Sequence, residues 1–164
     1  MKKLSILSAV LGLSFMGAAS AADITIYHSP SCPHCHHARD FISSTLIYEY
    51  PELKVTEVNV TDRANMPAFQ EALNKCGLKS GGVPVLVIGD QCNQGYADVL
   101  QDKLREMIEA DLTAEQKAAA AANKEAMAAD AEKFKAEHAN RTSAITEYVA
   151  VVATEETADA AKKK

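Results

Sequence analysis

The chain has 164 residues, a formal net charge of −5 and four cysteines; its length suits one ordinary domain with an appendage, not two full domains. At 48% hydrophobic and 24% charged it is neither a disordered polyampholyte nor an integral membrane protein. An acidic balance with no basic stripe excludes a nucleic-acid binder, and four cysteines are too few for a disulfide-dense scaffold, so their role lies in their spacing.

Met1–Ala22 reads as a secretory signal: Lys2 and Lys3, an apolar run from Leu4 to Met16, then Ala19-Ser20-Ala21 as a small-residue cleavage site. The competing reading is an uncleaved anchor, since the uncharged stretch is nearly long enough to span a bilayer. Cleavage would leave an exported protein, with a bacterial periplasm as its expected home, where disulfides persist. Ile24–Tyr27 is β-branched and aromatic and ends at His28-Ser29-Pro30, a strand and then a loop. Ser31-Cys32-Pro33 opens a helix, with proline suited to its first position. Ala38, Phe41, Ile42, Thr45 and Leu46 continue the helix at helical spacing until Tyr50-Pro51. Leu53–Val60 is a second strand, Thr61-Asp62 a cap, and Met66–Cys76 a helix with Gly77 at its C-terminal cap. Val83–Ile88 is a buried strand, turned by Gly89-Asp90-Gln91 into a hairpin that returns through Cys92. Tyr96–Ala110 is a third amphipathic helix.

This order, β-α-β-α-β-β-α, describes an α/β domain over residues 23–112 with a four-stranded mixed sheet and helices on its faces. From Thr113 the composition changes: Thr113-Ala114-Glu115-Gln116 fits a capping box, and 18 of the 29 alanines follow Thr113. Residues 113–164 are an Ala-rich helical extension, read as solvated and partly frayed, with Ala158–Lys164 as its polar end. Met127, Ala131, Phe134, His138, Ile145, Tyr148 and Val152 form an imperfect stripe that would let it pack instead. His138 reads as a surface residue and Asn140-Arg141-Thr142 as an incidental glycosylation match.

Cys32-Pro33-His34-Cys35 carries the chemistry. A thiolate, not a thiol, attacks a disulfide, and a helix N-terminus supplies unpaired N–H groups and a positive dipole end to stabilise it. Two intervening residues place Cys35 one turn away, where it resolves the mixed disulfide that Cys32 forms. A protonated or hydrogen-bonding His34 would stabilise the Cys32 thiolate further and make the couple more oxidising. The pair is its own redox centre, and no cofactor is implied.

With Ile24-Thr25-Ile26-Tyr27, Cys-Pro-His-Cys and Gly82-Val83-Pro84 before a strand, the chain resembles the thioredoxin superfamily from about Ile24 to Ala110. The spacing from Cys32 to Pro84 is similar to that of glutaredoxins, with no room for the helical insertion of DsbA-type oxidases, whereas the tetrapeptide looks DsbA-like. The resemblance implies a cis proline at Pro84 and, beside it at Val83, backbone that holds an extended substrate. It also implies protein thiol and disulfide substrates and a membrane redox partner. Thioredoxins and DsbA-type enzymes carry a buried carboxylate six residues before the first cysteine, where this chain has Ile26, so a proton relay must differ. Glutaredoxins bind glutathione partly through Thr before Val-Pro and a Cys-Asp-Asp helix start; this chain has Gly82 and Tyr96-Ala97-Asp98 at these places.

Two alternatives use the same residues. Cys32-Pro33-His34-Cys35-His36 is also a C-x-x-C-H haem-attachment string, for which Met66 would be a distal ligand, although Val-Pro-Val-Leu-Val-Ile strands are foreign to small helical cytochromes. His28, His34, His36 and His37 crowd the dithiol and would suit copper(I) or zinc in a periplasmic carrier; the leading reading has no metal. A third reading is a dimeric scaffold whose extension pairs with itself. Cys76 and Cys92, each eight residues from Pro84, are either a structural disulfide worth on the order of 3 kcal/mol or buried thiols, with Cys92 a candidate relay.

Overall fold

The computed structural model describes residues 23–150. The expected leader, Met1–Ala22, and the polar end, Ala158–Lys164, lie outside the described residues. Five strands form one mixed sheet in the order β4-β3-β1-β2-β5. The central strand β1 (Ile24–His28) runs parallel to β2 (Val55–Asn59) and antiparallel to β3 (Val85–Ile88), which turns at Gly89 (φ +56°) into β4 (Gln91–Gln94).

Alternation divides the side chains of β1 between two faces. Ile24 and Ile26, with Val55, Leu86 and Ile88, pack against α1 (Pro33–Phe41) and α4 (Gln101–Glu109). Tyr27, with Val58 and Val85, packs against Phe69, Ala72 and Leu73 of α3 (Met66–Lys75). Asp62 accepts from Ala64 N–H (2.9 Å) before α3, and Gly77 (φ +64°) follows that helix in the left-handed conformation expected of its C-terminal cap. α1 runs through a π-helical turn, Ile42–Leu46, into the short α2 (Ile47–Glu49) before Pro51 ends the run. A core with few aromatics also holds a charge pair: the Arg105 guanidinium grips both carboxylate oxygens of buried Glu49 (2.8 and 2.9 Å) and lies 5.1 Å from the Phe41 ring centroid.

The extension departs from the solvated-helix expectation, and the sheet has five strands rather than four. Thr113 and Gln116 form the capping box of α5 (Ala114–Ala129), and α6 (Ala131–Glu137) follows. Ala120 is 4% exposed, and Met127, Phe134 and Ile145 pack on the main core. A 3-10 turn, Ala139–Ala144, then leads into β5 (Ile145–Glu147), which pairs in parallel with β2. Without β5 the outer side of β2 would be an unpaired edge, a poor termination for a buried strand. Arg141 locks this arrangement by donating to the carbonyls of Ile47 (2.8 Å), Tyr50 (3.0 Å) and Leu53 (3.0 Å), and Asn123 donates to Glu49 O (3.2 Å). His138 is exposed, stacked on Phe134 at 4.2 Å.

Candidate active site

Cys32 is the N-cap of α1, with Pro33 at the first helical position. Its extended backbone (φ −93°, ψ 112°) turns the side chain back over the helix start, where Cys35 N–H donates to Cys32 Sγ at 3.2 Å. Such a donor stabilises a sulfur anion, and the helix dipole acts in the same direction. The Cys32 thiol in turn donates to Val83 O at 3.6 Å, which brings together residues 51 apart in sequence. The Val83–Pro84 peptide bond is cis, and the Val83 carbonyl lies beside the cysteine expected to attack.

Cys32 is half-buried, while Cys35 is 1% exposed. Burial first, then the hydrogen bond with Cys32, pushes the Cys35 thiol up to about 12, opposed only in part by the Ser29 amide and the Arg39 guanidinium. The pair is therefore asymmetric, with an accessible first sulfur and a second shielded behind it. His34 is exposed on the first turn, and among the described residues it makes no hydrogen bond to Cys32. His36 is also exposed and bonds through Nε2 to Pro30 O (2.7 Å), fastening the loop between β1 and α1.

The loop before Pro84 is held from β4. Gln94 Nε2 donates to both Ser80 O and Gly82 O at 2.9 Å, and Gly95 N–H donates to Pro84 O at 2.7 Å. A Cβ on Gly82 would stand 3.2 Å from that Gln94 amide nitrogen, so glycine lets the clamp close. Cys76, at the end of α3, and Cys92, on β4, form a disulfide (Cα–Cα 5.8 Å) that closes the chain around this loop.

Among the described residues no three His, Cys, Asp or Glu side chains come together to hold a metal ion. Buried Cys35 is also a poor position for a covalent macrocycle, and Met66 lies exposed at the start of α3 on the opposite face of the sheet from α1.

Sequence reasoning missed a buried polar cluster on the α1 face. Glu57 of β2, 7% exposed, is the direct lateral neighbour of Ile26 and pairs with Arg39 of α1 at 2.6 Å. His28, 6% exposed, lies next along β1 on the same face. Burial, then the Arg39 charge, holds the His28 imidazole below its ordinary 6.5. A signal for Glu57 was present: it falls in phase with buried Leu53 and Val55, on the inward face of β2.

Residues 24–92 match the glutaredoxin family model. Among solved structures the chain is similar to a glutaredoxin from Archaeoglobus fulgidus, with 23% identity, 62% of this chain and 98% of that chain covered, and a TM-score of 0.39. No curated protein matches the chain significantly. The matched segment, under half of the chain, contains the adjacent Cys32/Cys35 pair, the Cys76–Cys92 disulfide and the cis proline.

Proposed function

We propose, from a glutaredoxin-like fold that carries an adjacent cysteine pair, that this protein is an exported thiol–disulfide oxidoreductase acting on protein substrates. The observation that carries this reading is the asymmetry of the dithiol: half-buried Cys32 at a helix N-terminus, with Cys35 buried and its thiol raised to about 12. Cys32 attacks a substrate disulfide, forming a mixed disulfide and releasing one substrate thiolate. Cys35 then attacks Cys32 Sγ, breaks the mixed disulfide and releases the second thiolate, so the dithiol is oxidised by two electrons and the substrate reduced. The reverse sequence donates a disulfide, and the DsbA-like Cys-Pro-His-Cys leans toward that direction. Pro33 sets the helix start, His34 tunes the thiolate from the exposed first turn, and Val83 and Pro84 present backbone to an extended substrate. No cofactor enters the cycle.

Export rests on the leader pattern in Met1–Ala22 and agrees in kind with the Cys76–Cys92 disulfide, since such bonds persist in oxidising compartments. A membrane redox partner returns the dithiol to its working state. Substituting Cys32→Ser abolishes exchange with a model protein disulfide while leaving the circular dichroism spectrum unchanged; exchange that persists in this variant overturns the reading. The reduction potential of the Cys32/Cys35 pair assigns the direction of flow.

A further inference from the structure

Resolution requires Cys35 to lose a proton, and burial opposes that loss: the sulfur is 1% exposed, which pushes its thiol up. The buried carboxylate that related enzymes place six residues before the first cysteine is Ile26 here. The polar groups of this face come instead from three neighbouring elements. Arg39 lies one helical turn after Cys35 on α1, near enough to favour its thiolate. Glu57 reaches Arg39 from β2 at 2.6 Å. His28 closes β1 directly before Ser29, whose backbone amide faces the Cys35 sulfur.

A second observation singles out the same place. Among the described residues, the only buried side-chain nitrogens or oxygens without a hydrogen-bond partner are His28 Nδ1 and Arg39 Nε. A buried polar atom left unpaired is costly, and such atoms call for an explanation in the chemistry of their site. One is an imidazole nitrogen able to accept a proton; the other is a guanidinium N–H able to donate to an anion.

We propose that His28, Arg39 and Glu57 together manage the proton and charge of Cys35 during resolution. The inference rests on the dithiol-exchange reading above. In the mixed disulfide, the Cys35 thiol proton passes to neutral His28, and Arg39 balances the thiolate left behind. That thiolate attacks Cys32 Sγ; the new Cys32–Cys35 bond forms as the Cys32–substrate bond breaks, and the electron pair leaves on the substrate sulfur, which takes a proton from solvent. His28 then returns its proton to solvent. Glu57 is a positioning residue, holding Arg39 over the site.

The charges facing this cluster come from every element around it: His36, Arg39 and Asp40 from α1, Glu57 from β2 and Glu147 from β5. β3 presents apolar Leu86 beside Ile26. Glu147 stands opposite Glu57 in the parallel ladder, and Tyr148 N–H donates to Glu57 O at 2.8 Å. The Ala-rich extension therefore reaches the back of the dithiol site and adds a second carboxylate beside Arg39.

The test separates the two sulfur steps with a chromophoric aromatic disulfide, dithiobis(nitrobenzoate), applied at one equivalent to the reduced full chain. Attack by Cys32 releases the first chromophore and resolution by Cys35 the second. His28→Leu keeps the first phase within about twofold but slows the second on the order of 10²-fold at neutral pH, leaving it to rise with hydroxide across the whole pH range. Glu57→Gln slows the second phase by a smaller factor and preserves its pH profile. A folded His28→Leu protein with a wild-type second phase, or with both phases slowed alike, overturns the proposal. If His28→Leu fails to fold, Glu57→Gln decides, and an unchanged second phase at every pH overturns it. A wild-type protein releasing only one chromophore would sink the dithiol-exchange reading instead.

Discussion

Cys32 and Cys35 lie on one turn of one helix, whereas Cys76 and Cys92 join two elements, the end of α3 and β4. Both pairs border the loop that leads into Pro84, one through the Cys32–Val83 hydrogen bond and the other by closing the chain around it. The residue type is the same; the surroundings differ. At the first pair, one sulfur stands half-buried at a helix N-terminus beside an amide donor, while burial pushes the thiol of the other up. The second pair meets across tertiary structure, where a bond between elements removes freedom from the unfolded chain. Reactivity thus follows from unequal environments within a pair, and stability from the length of chain a pair closes.

The largest effect that would test this contrast is loss of turnover. Cys35→Ser leaves Cys32 able to attack but unable to be resolved, so a stable covalent adduct with a substrate protein accumulates and multiple turnover ceases; non-reducing electrophoresis detects it. The Cys76→Ala, Cys92→Ala double variant behaves oppositely. It loses about 3 kcal/mol in denaturant unfolding and keeps both phases of exchange; a double variant of unchanged stability that no longer exchanges would reverse the roles assigned to the two pairs.

The smallest effect is a dependence on alkaline pH. The Cys35 thiol is raised in the folded protein from 9 to about 12, so below pH 9 both folded and unfolded chains hold the proton and no stability is lost. Between pH 9 and 12 the unfolded chain gives it up first, and stability falls. Reduced wild type should lose on the order of 1 kcal/mol more than reduced Cys35→Ala between pH 8 and pH 10. Parallel curves for the two proteins would show that Cys35 is not shielded as its burial implies.

Much of the frame was legible because its signals are local. The β-branched run Ile24–Tyr27, the Pro33 helix start, the Asp62 cap, Gly77 and the apolar run Val83–Ile88 each announce themselves within a few residues, and the structure places elements there, the last strand starting at Val85. The two pieces of the extension that matter most gave no such signal. Arg141 stood inside a fortuitous glycosylation match, yet it secures three carbonyls some ninety residues away in sequence. Ile145–Glu147 is too short to read as a strand alone and becomes one only by pairing with β2. Glu49 and Arg105 lie 56 residues apart on different helices, and only their meeting inside the fold makes them a largely buried pair.

The dithiol was legible in the chain itself: C-x-x-C spacing, a proline at the first helical position and an N-terminal cap are properties of four consecutive residues, Cys32 to Cys35, set by local backbone geometry. The sequence also placed Val83-Pro84 before a buried strand. Only the packed chain brings Cys32 to Val83 and Cys76 to Cys92, adds a fifth strand to the sheet, and pairs Arg39 with Glu57 near buried His28. The physical reason is the range of the interactions. Helix starts and turns are governed by neighbours along the chain, while bridges, ladders and buried ion pairs depend on which distant segments the packed core brings together.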